Sequence, residues 1–423
     1  MINRIIDAIK TVSPAAWRIE KREEETAELF FVKKQLDTRR SKDVTFYTVT
    51  LFRRGEEEKM GFTSIVLPPE IAWDELKTRL AEAYYAASFA MNPGYAMPDP
   101  VRDNVEAAQT PLMQDPLNKT ASRMTAALFE KDTHPQAFLN SAELFVERKK
   151  TRIVSSEGTD VSWSSARIKG EFVAQCREPE DVEIYQDFSY DSLRPEALSS
   201  LVEETLRFAA DRARAQKILK TGSYDLILTG DNIGEILDLY TARSSARMIY
   251  PGYSRWKTGE AVQSALEGFE PLNISLTASE PFSSEGIRMT DRPLLENGVL
   301  KTIHGSNAFC RYLGTEPTGE YRSLCCGNEG TRSFEELKQA PCLWAVTFSD
   351  FQMDPMSGYL GGEMRLAYLI EADGTITPVT GGSVSASLLE KQNQLLFSKE
   401  RYESESYKGP YAVRIPGVSV AGE

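Results

Sequence analysis

The 423-residue sequence predicts an α+β fold, with a mixed α/β N-terminal domain and a strand-rich C-terminal domain. Helix-like and strand-like patterns alternate up to about residue 240, whereas strand-like runs and turns dominate after about residue 270. Hydrophobic residues make up 41% of the chain, which is enough for a sizeable core. We place the domains at residues 1–205 and 206–423, with the boundary between residues 190 and 225.

The first half contains alternating helical and strand-like patterns. Isoleucines at helical spacing in residues 1–20 predict a helix that ends near Ser13-Pro14. Three strand-like runs follow, and a helical pattern returns over residues 72–90. Prolines predict a connection or exposed loop over residues 91–120, and two long strands around a tight turn come after it. The five predicted strands cover residues 27–34, 44–53, 59–66, 137–150 and 151–178.

The clearest helical pattern covers residues 195–220, where apolar residues form one stripe. A short buried strand is expected over residues 224–228, followed by a turn and a second helix. Asp231 or Asn232 is suited to the N-cap of that second helix, because both side chains can accept a hydrogen bond from the first turn. Further along, Asn297-Gly298 is the strongest hairpin signal in the chain.

The balance of charges disfavours two classes of partner. The chain has 62 acidic and 49 basic residues, a formal net charge of -13, so its surface repels nucleic-acid phosphates and anionic membranes. No run approaches the roughly 20 apolar residues of a membrane-spanning helix, and the N-terminus has no long apolar stretch typical of a signal peptide. We therefore expect no membrane partner and no direct contact with nucleic acid.

The cysteines indicate a reducing compartment. There are five, an odd number, and none forms a C-x-x-C pair, so we expect free thiols and a cytoplasmic location. Adjacent cysteines cannot bridge one another without strain, and we interpret Cys325 and Cys326 as buried thiols. Asp350 and Asp354 lack the further oxygen ligands of a calcium loop and are more typical of a turn.

Six segments of the second half carry short motifs: residues 294–301, 314–319, 328–337, 354–359, 369–379 and 410–422. Their order and spacing resemble those of the TldD/PmbA peptidase family. One of them, Leu-Leu-Glu-Asn-Gly-Val-Leu-Lys at residues 294–301, resembles a Glu-Asn-Gly segment of that family. Taken singly, each segment is typical of a turn or a strand end. The resemblance covers roughly residues 220–423, and the first 130 residues carry no matching motif.

The resemblance also defines what this chain lacks. In the TldD branch, a helix after a short strand carries His-Glu-x-x-x-His, and a cysteine near the C-terminus completes a zinc site. The equivalent helix here would lie at residues 231–240, which contain no histidine, and residues 402–409 contain no cysteine. The whole chain has two histidines, His134 and His304, too far apart in sequence to form a helical pair. The resemblance therefore implies the TldE/PmbA branch, with no zinc in this chain. The residues of the motif-equivalent helix are Asn232, Glu235, Asp238 and Leu239.

The resemblance implies a function as well. It predicts a non-catalytic TldE/PmbA-like subunit of a zinc metallopeptidase complex that processes peptides, in which a TldD-like partner holds the zinc. The family has also been labelled a modulator of DNA gyrase, but no nucleic-acid motif supports direct DNA contact here. Glu235 could imitate the general base of the motif, yet without a metal we interpret it as a carboxylate of the first helical turns.

Two alternatives stay open at the level of sequence. One is a non-zinc hydrolase that uses Glu235, His304 or a cysteine, and it needs a pocket in which these groups converge. Otherwise His304 is best interpreted as a structural histidine. The other is a peptide-binding homodimer without chemistry, which needs a groove free of converging titratable groups.

Overall fold

One eight-stranded sheet organises the first half of the molecule, in a computed structural model that describes residues 1–422. Its strands are β1 (Ala16–Val32), β2 (Gln35–Arg54), β3 (Lys59–Leu67), β4 (Asn92–Pro93), β5 (Arg102–Asn104), β6 (Ala137–Ser155), β7 (Asp160–Cys176) and β8 (Val182–Tyr190). They pair in the order β4-β3-β2-β1-β6-β7-β5, and β8 pairs with another part of β7. β8 is therefore an edge strand.

Long antiparallel pairs form the centre of this sheet. β1 pairs with β2 along its whole length and with β6 over most of it. Side chains alternate between the two faces of a strand, so the start of β1 has two chemically different faces. Trp17 and Ile19 pack in an apolar cluster on one face. Arg18, Glu20 and Arg22 lie on the opposite face.

Helices cover the face that carries Ile19. They are α1 (Ile2–Ile9), α2 (Trp73–Ala86), α3 (Pro111–Gln114), α4 (Leu117–Glu130) and α5 (Pro195–Ala213). α1 and α2 form one cluster with the start of β1, in which Leu76 and Leu80 are fully buried. Complete burial of such a side chain contributes about 2 kcal/mol. α4 and α5 pack in a second cluster with β6 and β7, around Val202 and Leu206.

Two further sheets form the second half. The first contains β10 (Ile274–Thr277), β11 (Arg292–Glu296), β12 (Val299–Leu300), β13 (Ser323–Cys326), β19 (Arg401–Glu403) and β20 (Tyr407–Pro410). The second contains β9 (Gly222–Thr229), β14 (Cys342–Asp354), β15 (Tyr359–Ile370), β16 (Ile376–Val379), β17 (Ser383–Ser387), β18 (Leu396–Phe397) and β21 (Ala412–Ala421). The order of the first is β12-β11-β10-β13-β20-β19, so β19 is an edge strand.

The second of these sheets closes on itself. β14 pairs with β9 on one side and with β15 on the other, which completes the ring β14-β9-β21-β17-β15. Short helices connect the strands, and α6 packs in the main core of this half around Ile236 and Tyr240. The helices are α6 (Asp231–Arg243), α7 (Ala246–Ile249), α8 (Asn307–Leu313), α9 (Phe334–Leu337) and α10 (Leu388–Lys391), the last followed by a 3-10 turn at Gln392–Gln394.

α5 joins the two halves through a shared core. Phe208 of α5 contacts Trp344 of β14 edge to face, with ring centroids 6.1 Å apart. Trp344 in turn stacks on Tyr368 of β15 at 4.8 Å. The Tyr368 hydroxyl donates a hydrogen bond to the buried carboxylate of Asp211, also on α5. α5 spans the predicted boundary near residue 205, and the position of that boundary stays a prediction.

The α+β class and the strand-rich second half are confirmed. The predicted hairpin at Asn297-Gly298 is confirmed too: it connects β11 and β12, and both residues have positive φ, 50° and 75°. No helix of residues 1–422 is long and apolar enough to cross a membrane.

Several local predictions are wrong. The first helix ends at Ile9, and β1 begins at Ala16, because pairing with two neighbouring strands outweighs local helical preference. The predicted loop at 91–120 contains α3 and the start of α4, and α5 ends at Ala213 rather than near residue 220. The N-cap of α6 is Gly230, whose φ of 61° favours glycine, instead of Asp231 or Asn232.

We expect Tyr368→Phe to lower the free energy of unfolding by about 1–3 kcal/mol, because it removes a buried hydrogen bond to a carboxylate. Tyr185→Phe is the matched control. Its hydroxyl also bonds a carboxylate, that of Glu171, but Tyr185 is 58% exposed, so a change within about 0.5 kcal/mol is expected. Urea unfolding measures both variants, and equal losses would contradict a core shared by the two halves.

Candidate functional site

A cleft of about 1010 Å³ lies between the first sheet and loops of the second half. Its floor is the face of β1, β6 and β7 opposite the face that packs on α1 and α2. One wall is the segment at residues 279–289, and the other is formed by the end of β8 together with residues 401–406. Both halves of the chain therefore contribute to the cleft.

The alternation of β1 supplies the charged floor. Arg18, Glu20 and Arg22 all line the cleft, and β6 adds Lys149 beside them. Arg22 donates to Glu20 at 2.5 Å. Lys149 pairs with Glu147 at 3.1 Å. Most floor charges are thus neutralised by a neighbour on the same sheet.

An aromatic contact attaches the 279–289 wall to the floor. Trp163 of β7 and Phe282 are both buried, with ring centroids 5.7 Å apart. The Trp163 Nε1–H also donates to the Glu280 carboxylate at 2.6 Å. An apolar contact and a charge-assisted hydrogen bond together position this wall.

Ion pairs attach the opposite wall. Arg194, just before α5, pairs with Glu403 of β19 at 2.8 Å, and Arg167 of β7 pairs with Glu405. Lys408 also pairs with Glu403, at 2.7 Å. Hydrogen bonds from Arg194 and Lys408 lower the pKa of Glu403 to about 2.

Two edge strands end in this cleft. Residues 187–190 of β8 and all of β19 are among the lining residues. Each of these strands pairs with one neighbour, β7 or β20. Edge strands have backbone groups that no strand of the sheet satisfies, so an extended chain can pair with them.

The motif-equivalent helix reaches the cleft only with its first residue. The carboxylate of Asp231 accepts a hydrogen bond from the Tyr402 hydroxyl at 2.8 Å, and both residues line the cleft. Burial and then the charge of Asp231 raise the pKa of Tyr402. Tyr402 therefore stays protonated and acts as a donor.

The four residues predicted for that helix do not line the cleft. Glu235 is exposed and accepts a hydrogen bond from the Met353 backbone N–H at 3.1 Å. Asp238 is exposed, and partial desolvation followed by the charge of Glu235 raises its pKa. Asn232 is half-buried, and Leu239 is fully buried in the core. The helix therefore makes structural contacts and brings no cluster of metal-binding side chains to the cleft.

The other candidate catalytic groups are buried elsewhere. His304 is 4% exposed, its Nε2 lies 2.9 Å from the Thr241 carbonyl oxygen, and burial lowers its pKa. Burial raises the pKa of Cys326 to about 12, so its thiol is protonated at neutral pH. Neither these residues nor Glu235 and Cys325 line the cleft. The structure does not bring together the groups that a non-zinc hydrolase would need.

Sequence reasoning missed the cleft residues of β1, because the pattern predicts a helix that ends near Ser13-Pro14 and no strand before residue 27. The signal was present in the alternation of apolar Trp17 and Ile19 with charged Arg18 and Glu20. The contribution of residues 401–406 carried no comparable signal, since it depends on the tertiary arrangement of β19.

Three solved structures share this fold over the whole chain. TldE from Thermococcus kodakarensis has a TM-score of 0.81 at 15% identity, with 100% of both chains covered. A proposed modulator of DNA gyrase from Thermotoga maritima has a TM-score of 0.79 at 17% identity, with 99% of each chain covered. A similarly described protein from Bacteroides thetaiotaomicron has a TM-score of 0.82 at 15% identity, covering 100% of this chain and 98% of that one.

The sequence itself matches in the second half. Residues 221–422 match the family model described as the PmbA/TldA metallopeptidase C-terminal domain. Residues 221–422 of this chain are therefore similar to the C-terminal domain of that metallopeptidase family. A metalloprotease from Methanothermobacter thermautotrophicus is 28% identical over 207 residues, which is 44% of this chain. The match spans 40% of the length of that relative.

The match to a metallopeptidase family model raises the question of zinc, and the residues present do not fit it. If Glu235 takes the place of the motif glutamate, the two histidines would fall at positions 234 and 239. A Cβ atom on Gly234 would lie 2.8 Å from the Cβ of Tyr407, so no side chain fits there without a backbone shift. Position 239 holds a fully buried leucine. Within residues 1–422 no group of three or more His, Cys, Asp or Glu side chains could hold a metal ion.

We expect the double variant Gly234→His/Leu239→His to lose stability without gaining zinc. Overpacking against Tyr407 and burial of an imidazole without a partner should together cost at least about 3 kcal/mol. Asp238→His, at an exposed position of the same helix, is the control and should change stability by about 0.5 kcal/mol or less. Urea unfolding and metal analysis give the result. A stable double variant that binds zinc tightly would show that the helix face is open after all.

The low pKa of Glu403 predicts an acid-sensitive wall. A carboxyl group whose folded-state pKa lies below its ordinary value stabilises the fold above that ordinary value, and this stability is lost as pH falls toward 2. Glu403→Gln should therefore flatten the fall in stability between about pH 4.5 and pH 2. Because the ion pairs are partly exposed, its cost at pH 7 should stay at or below about 1 kcal/mol. Glu57→Gln, which removes an exposed ion pair on the β2–β3 turn, is the control, and identical curves for both variants would contradict the assignment.

Proposed function

We propose that this chain is a non-catalytic, TldE/PmbA-like subunit that binds an extended peptide in its cleft while a TldD-like partner holds the catalytic zinc. One observation carries the non-catalytic part. The helix that would carry the histidines has Gly234 against Tyr407 and Leu239 in the core, so zinc donors have no place there. In this proposal all metal chemistry belongs to the partner.

The cleft supports peptide binding through its edge strands. An extended peptide can add to an exposed sheet edge, where main-chain hydrogen bonds provide affinity without regard to sequence. β8 and β19 offer two such edges on one wall of the same cleft. A volume of about 1010 Å³ is ample for several residues of a peptide.

The chemistry of the lining also suits a peptide. Phe188, Tyr190 and Tyr402 supply apolar surface, and serines from several segments supply hydroxyl groups. Charged residues of both signs surround them, most already paired within the protein. Such a mixture favours a chain that carries both apolar and polar side chains over a polyanion.

Two alternative functions differ from this proposal in what they require of the structure. A non-zinc hydrolase receives no support, since Glu235, His304 and the cysteines lie outside the cleft. A homodimer that binds peptides without chemistry would use the same cleft, and it differs from the proposal only in its partner.

The proposal is tested by peptidase activity and zinc content, for this chain alone and mixed with a TldD-like protein from the same cell. We expect cleavage of unfolded peptides and bound zinc only in the mixture. Zinc or cleavage in the chain alone would overturn the non-catalytic role. Peptide binding by the chain with no effect on the partner would favour the homodimer.

A cleft variant makes the test specific. Ser165 lies on the floor, and Ser165→Trp should lower cleavage by the mixture at least about tenfold while the two chains still co-purify. Ser41→Trp, on the exposed β1–β2 hairpin, is the matched control and should leave cleavage unchanged. Equal activity of both variants would show that substrate does not pass through this cleft.

A further inference from the structure

Arg18 differs from the other half-buried arginines of the cleft. Arg22, Arg167 and Arg194 each pair with a carboxylate. The Arg18 side chain is half-buried on the floor, yet no hydrogen bond or ion pair connects it to any other residue in the described part of the chain. It is a guanidinium with open hydrogen-bonding capacity that lines the cleft.

The charges near Arg18 already have other partners. Its electrostatic neighbours are Glu285, Tyr95 and Glu20. Glu285 accepts a hydrogen bond from the Asn307 backbone N–H at 2.8 Å, and Glu20 accepts one from Arg22. Burial raises the pKa of Tyr95 to about 12, so this phenol carries no charge at neutral pH. These groups balance Arg18 at a distance but none of them binds it.

Leaving a guanidinium partly desolvated and unpaired is costly. Burial lowers the pKa of Arg18, which reports the same penalty on its charged form. Proteins normally pair such a cation, and the exceptions concentrate where a ligand completes the pair. The planar fork of a guanidinium matches the two oxygens of a carboxylate.

We propose that Arg18 binds a carboxylate of the peptide that occupies the cleft. The inference rests on the proposed peptide-binding function and adds a specificity to it. The carboxylate can come from the peptide's C-terminus or from an aspartate or glutamate side chain, since both present the same two oxygens.

The surroundings select a single negative charge. Glu20 and Glu285 are electrostatic neighbours of Arg18, and Glu320 is an electrostatic neighbour of Glu285. One monoanion finds one half-buried, unpaired cation there, and the neighbouring carboxylates oppose the second charge of a phosphate dianion. The site therefore favours an acidic peptide group over a phosphorylated one or a nucleic acid.

Binding of fluorescent, unstructured peptides to the full chain tests this assignment. One set ends in a free carboxylate, the second in an amide, and the third carries an internal glutamate in place of glutamine with an amidated end. We expect one carboxylate set to bind about tenfold to a hundredfold more tightly than its neutral counterpart, and the set that does so identifies the source. In Arg18→Gln this difference should vanish, while affinity for neutral peptides is kept.

Arg123→Gln is the matched control, because Arg123 is an exposed arginine of α4 that does not line the cleft. It should retain the wild-type preference for carboxylates. Equal preference in Arg18→Gln and wild type would overturn the proposal. If Arg18→Gln does not fold, as judged by its unfolding curve, Arg18→Lys is used instead, and a loss of at least about half the preference is expected because lysine cannot form the bidentate pair.

A small probe separates this inference from the proposed function. N-acetylalanine and its uncharged amide are titrated against protein with isotope-labelled arginine, and the Nε signal missing from Arg18→Gln identifies Arg18. A shift with N-acetylalanine alone supports the carboxylate site even if no peptide binds, in which case the peptide-binding function fails and the site stands. The absence of any shift with N-acetylalanine, together with equal binding of charged and neutral peptides, overturns the site.

Discussion

The two-faced character of β1 is the constraint on which the rest of the structure depends. β1 is paired on both sides, with β2 and β6, so its register cannot slip without moving Trp17 and Ile19 out of the core. The same register that buries those two residues turns Arg18 to the opposite face. A charged cleft floor is thus a direct consequence of packing on the other side of the sheet.

The walls of the cleft come from the second half, so their position depends on contacts between the halves. On one side, Trp163 and Phe282 combine an apolar contact with the hydrogen bond to Glu280. On the other, exposed ion pairs such as Arg194–Glu403 contribute little energy each but fix direction. Behind the cleft, the shared core of α5 with β14 and β15 keeps the halves from rotating apart. The buried contacts fix the position of the two halves, and the ion pairs orient the wall.

The sequence was most informative where local chemistry decides structure. The Asn297-Gly298 hairpin follows from two residues that accept positive φ, and the α5 stripe from helical spacing. The start of β1 carries the alternation typical of a strand, but its pairing with β6, more than 100 residues away, cannot be predicted from local spacing. The cleft could not be predicted for the same reason: Arg18 and Glu285 are distant in sequence, and only the fold brings them near each other. What sequence did establish was an absence, since two histidines cannot form the family's zinc motif wherever they lie.

That absence has a structural counterpart which explains why it is difficult to reverse. On α6, Gly234 allows the backbone of the helix to approach Tyr407 of β20, and Leu239 fills the core beneath. The contact that holds α6 against β20 occupies the space that zinc-binding side chains would need. Asp231, at the start of the same helix, still reaches the cleft and fixes the Tyr402 hydroxyl. The first turn of α6 therefore contributes to the shape of the cleft, and the rest of the helix packs in the core. Neither part of the helix leaves room for a metal site.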